Sequence, residues 1–176
     1  MDPVTTAAGT ASPPPPPFDP ELGAALTDIN QWVPPSLTAE MAAAMRGADI
    51  PGPSLDDLAR GGRFTVAERS VPGPPGAPDI GLLVCRPTGA STPLPAVYFT
   101  HGGGMIIGNN RLGIEPVLDW ADELNLVVVS VEYRLAPEHP HPAPVEDCWA
   151  GLLWTVAHAA EIGADPERLL LAGESA

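Results

Sequence analysis

Basic residues are scarce in this chain. Eight Lys and Arg stand against 22 Asp and Glu, giving a formal net charge of −14 and a pI near 4.3. That balance repels a phosphate backbone and an anionic lipid surface alike, so neither nucleic acid nor a membrane is expected as partner. Cysteine is scarcer still. Cys85 and Cys148 cannot make a disulfide framework and no CxxC or other metal spacing accompanies them, so both are expected as small buried hydrophobes, with no metal and no cofactor. Aromatic residues make up 5% against 44% apolar residues overall, which leaves a core built mainly of Ala, Leu and Val. No apolar run approaches the roughly 20 residues of a membrane span. The opening Met1-Asp2-Pro3-Val4 has neither the basic nor the apolar region of a secretory signal, and the expected location is the cytoplasm. Nothing repeats at a period of roughly 20–50 residues, which argues against a solenoid.

Proline (24) and glycine (18) are plentiful but unevenly placed. Residues 1–20, in which 13–17 are all proline, read as a disordered tail. Residues 21–60 read as a helical segment. Leu22, Leu26 and Ile29 recur at helical spacing, Trp32 and Val33 follow, and Pro34 with Pro35 stops the pattern. Leu37, Met41 and Met45 share one face of a second short helix, and Ser54 with Asp57 has the spacing of a capping box that opens a third. Pieces this short cannot bury themselves. They must lie on a larger body, as a cap over a site or as plain packing.

Residues 61–176 supply that body. Stretches 64–71 and 80–86 are strand-like and are separated by a Pro/Gly-rich loop, which suits an antiparallel pair. A third strand, 96–100, runs into His101-Gly102-Gly103-Gly104. Ile114, Val117, Leu118, Ala121 and Leu124 then mark an amphipathic helix, and the β-branched run 126–131 a strand buried on both faces. A proline-punctuated loop leads to a helix with Val145, Cys148, Trp149, Leu152, Val156 and Ala160 on one apolar face, ended by Gly163 and Asp165-Pro166. The short strand 169–172 comes last. This order predicts an α/β fold whose sheet starts antiparallel and continues mostly parallel.

Two stretches carry chemistry. Gly173-Glu174-Ser175-Ala176 is G-x-S-x directly after a buried strand, the setting of a nucleophile elbow, in which a sharp strand-to-helix turn lifts the serine hydroxyl above the sheet. The glycine run, 74 positions earlier at His101, offers backbone N–H groups to an oxyanion, each worth roughly 3–4 kcal/mol to a tetrahedral intermediate. A phosphate site is the competing use, but both the GxGxxG spacing and the GK[ST] ending are missing. A general base is also missing. In this arrangement the acid and the histidine follow the serine, whereas His101, His139, His141 and His158, like Asp147 and Asp165, all precede it and read as structural or exposed.

Three motifs together, His101-Gly102-Gly103-Gly104, the segment from Val131 through Tyr133-Arg134 and Glu138-His139 to Ala143, and the segment from Leu169 to Ala176, resemble the bacterial hormone-sensitive-lipase-like carboxylesterases, which are α/β-hydrolases. The resemblance covers about residues 60–176. It implies that Ser175 is the nucleophile and that Gly103, Gly104 and Ala176 supply the oxyanion N–H groups, with Gly102 as a further candidate. His101 and Glu174 are implied as structural neighbours of the site, the Tyr133 to His139 segment as supporting structure, and residues 20–60 as part of a cap. The implied reaction is hydrolysis of short or medium acyl esters through an acyl-enzyme. Amide or lactone hydrolysis, and a non-catalytic receptor for a small molecule, are the alternatives. Family members continue well beyond the serine. The chain is therefore expected to be the N-terminal part of a longer polypeptide, with the triad Asp and His in the C-terminal remainder and little activity of its own; a homodimer is left open.

Overall fold

The computed structural model describes residues 16–31, 36–47 and 52–175. The proline-rich stretch up to residue 15, the expected stop from Trp32 to Pro35, and Ala176 lie outside the described residues. The chain divides into two units between Thr38 and Ala39, and each is described by itself.

The first unit holds helix α1 (Pro20–Ile29). Asp19 caps it by accepting from the N–H groups of Glu21 (2.9 Å) and Leu22 (3.2 Å), and Pro20 occupies the first turn, where its missing N–H costs nothing. No residue of α1 is buried.

The second unit opens with α2 (Ala39–Gly47) and α3 (Leu55–Leu58). Leu37 precedes α2 and is exposed, and the buried residue of that helix is Ala42; Met45 faces outward. Ser54 and Asp57 do form a capping box, with Asp57 N–H donating to Ser54 Oγ at 3.1 Å and Ser54 N–H to the Asp57 carboxylate at 2.9 Å. This sets Leu58 into the core beside Phe64, Leu83 and Cys85.

Five strands follow: β1 (Phe64–Val71), β2 (Ile80–Pro87), β3 (Leu94–Thr100), β4 (Val127–Glu132) and β5 (Ala164–Gly173). Between them lie α4 (Glu115–Leu124), α5 (Ala143–Ala157) and α6 (Ala159–Ile162). The sheet order is β1-β2-β4-β3-β5, antiparallel for β1 with β2 and β2 with β4, parallel for β3 with both β4 and β5. Side chains alternate between the faces. Leu82, Val84, Tyr98, Val127 and Val129 pack toward Cys148, Leu152 and Trp154 of α5, while Leu83, Cys85, Val97, Phe99 and Val128 pack toward α4 and α3. Each fully buried Val or Leu contributes roughly 1.5–3 kcal/mol.

Two elements differ from the sequence reading. Strand β5 starts at Ala164 rather than Leu169, because Ala164 already pairs with Leu94 before an irregularity shifts the register. The helical run breaks at His158 into α5 and α6, and the buried residues of α5 are Pro144, Asp147, Gly151 and Thr155, with Cys148 and Leu152 of the expected face packed partly buried against the core. Val145, Trp149 and Val156 lie outside. Gly151 explains the choice: a Cβ there would stand 2.4 Å from Tyr98 Oη, so the helix crosses where it has no side chain. Cys85 is fully buried and Cys148 half-buried.

Candidate active site

Strand β3 leads through α4 to β4 on one side, and β4 leads through α5 and α6 to β5 on the other side of β3. The carboxyl ends of β3 and β5 therefore flank a point where connections diverge, the place where open α/β sheets bind their ligands. The glycine turn leaves one of these strands and Ser175 follows the other.

His101 begins the turn and is 1% exposed. Its ring stacks on Tyr133, with centroids 4.1 Å apart and planes 8° from parallel, and the Tyr133 hydroxyl donates to the His101 carbonyl at 2.7 Å. His101 Nδ1 lies 2.8 Å from the Gly102 carbonyl, a contact that only an N–H can make. The proton thus sits on Nδ1, and Nε2 is a buried acceptor without a partner among the described residues. Burial pushes this imidazole below its ordinary pKa, with the Gly102 carbonyl opposing, so the ring is neutral. Burial likewise lifts the Tyr133 phenol to about 12, which keeps it a donor.

The turn and the serine segment meet backbone to backbone. Thr100 pairs with Gly173, the Glu174 N–H donates to the Thr100 carbonyl at 3.1 Å, and the Gly103 N–H donates to the Ser175 carbonyl at 3.1 Å. A Cβ on Gly102 would lie 3.0 Å from the Ser175 carbonyl oxygen and 3.2 Å from that of Glu174. Gly103 has φ +113°, and a Cβ there would strike the Ile107 carbonyl at 2.1 Å. These glycines let two strand ends touch. Gly104 follows with φ +61°. The structure thus brings Gly102, Gly103 and Ser175 together, with the Gly103 N–H taken by the Ser175 carbonyl. Ser175 and Glu174 are exposed, and the Glu174 carboxylate lies against Gly113, where a Cβ would be 1.8 Å from Oε2.

Among the described residues no histidine hydrogen-bonds to Ser175. His139 and His141 are exposed, and His158 stacks on Trp154 (4.5 Å, 11°) with Nδ1 3.0 Å from the Trp154 carbonyl. Asp165 accepts from Arg168 Nε at 2.7 Å. Asp147 is fully buried and accepts from the Arg134 backbone N–H (2.9 Å), Nε (2.8 Å) and Nη2 (2.7 Å), which ties the loop after β4 to α5. Among the described residues no group of three or more His, Cys, Asp or Glu could hold a metal ion, and no helix is long and apolar enough to cross a membrane.

Two residues escaped the sequence reading. Arg46 of α2 donates to the carbonyls of Ile106 and Ala136 and to the Glu138 carboxylate, which holds the Glu138 carboxyl below its usual range. Nothing in the sequence around Arg46 distinguishes it. Glu132, the last residue of β4, accepts the Asn110 N–H at 2.7 Å. Its signal was legible: an acid closing a strand whose other residues are all buried.

Residues 97–176 match the family described as the alpha/beta hydrolase fold. Carboxylesterase NlhH of Mycobacterium tuberculosis is 43% identical over 111 residues, 63% of this chain and 34% of that protein. Human hormone-sensitive lipase is 39% identical over 92 residues, 52% of this chain and 8% of that protein. Among solved structures, bacterial heroin esterase superposes with a TM-score of 0.67 at 36% identity, covering 89% of this chain and 48% of that one. The chain spans a third or less of these curated relatives and about half of the solved chain. Sheet order, glycine turn and sequence matches agree: the chain carries a portion of the alpha/beta hydrolase fold and is similar to carboxylesterases built on it.

Proposed function

We propose that this chain is the nucleophile-bearing part of a serine carboxylester hydrolase acting on short or medium acyl esters. The observation that carries the reading is the contact between the glycine turn and Ser175 at the ends of adjacent parallel strands, with the Gly103 N–H reaching the Ser175 carbonyl at 3.1 Å. The resemblance to NlhH and to hormone-sensitive lipase supports the ester as substrate class.

Ser175 Oγ attacks the ester carbonyl carbon, and the oxyanion that forms is held by the N–H groups of Gly103, Gly104 and Ala176, with Gly102 a further candidate. The Gly103 N–H, which in this structure donates to the Ser175 carbonyl, reaches the oxyanion only when that bond opens. Collapse of the intermediate breaks the bond to the alkoxy oxygen, which leaves as the alcohol. Water then attacks the acyl-Ser175 ester and regenerates the hydroxyl. The proton passes from Ser175 to the alcohol, and from water back to Ser175, through a histidine oriented by an acid, both in the C-terminal remainder of the same polypeptide. His101 and Glu174 shape the site without taking the proton. No metal or cofactor enters these steps.

The test is turnover of p-nitrophenyl butyrate by the full-length polypeptide. Ser175→Ala is expected to lower kcat by on the order of 10⁴-fold or more. Full activity in that variant would remove Ser175 as nucleophile. The 176-residue chain alone is expected to show no serine-dependent turnover.

A further inference from the structure

Glu132 stands at the carboxyl end of β4, in register with Gly81 of β2. A Cβ on Gly81 would come within 3.1 Å of Glu132 Cβ, so the missing side chain leaves room for the carboxylate arm. That carboxylate accepts the Asn110 N–H at 2.7 Å. Asn110 is the second residue of a turn closed by the Leu112 N–H on the Asn109 carbonyl at 3.1 Å and braced by the Arg111 N–H on Asn109 Oδ1 at 2.9 Å.

The segment 108–113 that contains this turn touches both halves of the candidate site. At Gly108 a Cβ would lie 2.6 Å from His101 Nδ1 and 2.7 Å from the Gly102 carbonyl. At Gly113 a Cβ would lie 1.8 Å from Glu174 Oε2. One end of the segment thus packs on the glycine turn, and the other on the carboxylate next to Ser175. Glu132 joins its middle to the sheet.

We propose that Glu132 is a positioning residue, whose carboxylate anchors the 109–112 turn to β4 so that Gly108 and Gly113 hold the glycine turn and the Glu174-Ser175 segment in register. The proposal rests on the reading of this site as an acyl-transfer site. Arg111, which also pairs with Glu68 at 2.7 Å, lines the same cavity of about 760 Å³ as Glu132 and favours its charged form. Burial disfavours this carboxylate, and the Asn110 N–H and Arg111 partly offset it.

Three variants test this in the full-length polypeptide. Glu132→Ala removes the acceptor. Asn110→Pro removes the donor at the second position of a turn, where proline's φ is accepted. Glu132→Gln keeps an amide oxygen that accepts the same N–H. Loss of register is expected to lower kcat for p-nitrophenyl butyrate by about 10- to 100-fold in the first two variants, with KM changed by less than about threefold. The double variant should be no worse than either single one, and Glu132→Gln should recover most of the rate. In the 176-residue chain, amide exchange at Gly103, whose N–H donates to the Ser175 carbonyl, should quicken in Glu132→Ala and Asn110→Pro but not in Glu132→Gln.

Unchanged kcat in both Glu132→Ala and Asn110→Pro, additive losses in the double variant, or a Glu132→Gln as impaired as the alanine variant would each overturn the proposal. If Glu132→Ala does not fold, Asn110→Pro decides the matter. If Ser175→Ala keeps full activity, the reaction assigned to the site fails. The exchange rates then decide the anchoring separately, with slow exchange at Gly103 in both donor and acceptor variants overturning it.

Discussion

The imidazole of His101 holds the glycine turn in place through contacts that a charged ring would disturb. It is buried, stacked on Tyr133, bonded through Nδ1 to its neighbour's carbonyl, and left with a bare Nε2. Its folded pKa lies below the ordinary 6.5, so below that pH the unfolded chain binds more protons than the folded one. The stability due to this ring is complete above 6.5 and is lost as pH falls through the folded value. Glu132 acts in the opposite sense. Burial holds its carboxyl above the ordinary 4.5, so its contribution is complete below 4.5 and declines as pH rises. The lowered carboxylates of Asp57, Glu138 and Asp165 act only below their ordinary values of 3.8 to 4.5. On acidification from about pH 7.5 to about pH 5.5 the melting temperature of His101→Gln is therefore expected to drop less, or rise more, than that of the parent chain, as followed by scanning calorimetry. An equal slope in the two proteins would show that the neutral ring is not its source.

At the scale of elements, α5 packs on the core through Cys148, Leu152 and Trp154 and is fastened as well by polar contacts that the sequence pattern did not show. Asp147 is fully buried and takes three donors from Arg134, while Gly151 lets the helix sit against the Tyr98 hydroxyl, which donates to the Cys148 carbonyl at 2.8 Å. Asp147→Ala would leave Arg134, whose side chain is 19% exposed, without its partner at the start of the loop after β4. The expected loss is about 3 kcal/mol, measured by urea unfolding, with Asp147→Asn losing less because one acceptor remains. A loss below about 1 kcal/mol would mean that water replaces the pair readily.

At the scale of the whole molecule, the β5 edge of the sheet has no partner strand among the described residues. Strand β5 lies at the edge, Leu170 and Leu171 are 55% and 61% exposed, and Trp149 of α5 is 59% exposed beside them. A groove of about 380 Å³ runs between the two elements, lined by Tyr98, Trp149, Leu171 and Ala172 among others. An unpaired apolar edge is a template for further strands. The isolated 176-residue chain is therefore expected to self-associate in sedimentation velocity as concentration rises, and Leu170→Lys with Leu171→Lys to suppress this. A monomeric chain at every concentration, with these leucines intact, would count against the edge as a sticky surface.

The sequence by itself determined the order of strands and helices, the antiparallel start of the sheet and the capping box at Ser54, because alternation, 3.6-residue spacing and cap chemistry are local. It also marked the glycine turn and Ser175, since a glycine run after a strand and G-x-S-x after another are written in consecutive residues. The tertiary structure alone decided which face of α5 meets the sheet, because that depends on where Gly151 clears Tyr98 across 53 residues of chain. It alone decided that Arg46 reaches Ile106 and Ala136, and that Glu132 holds Asn110. Contacts of that kind join residues with no shared period or motif, and only a folded sheet with its loops in place brings their atoms within hydrogen-bond distance.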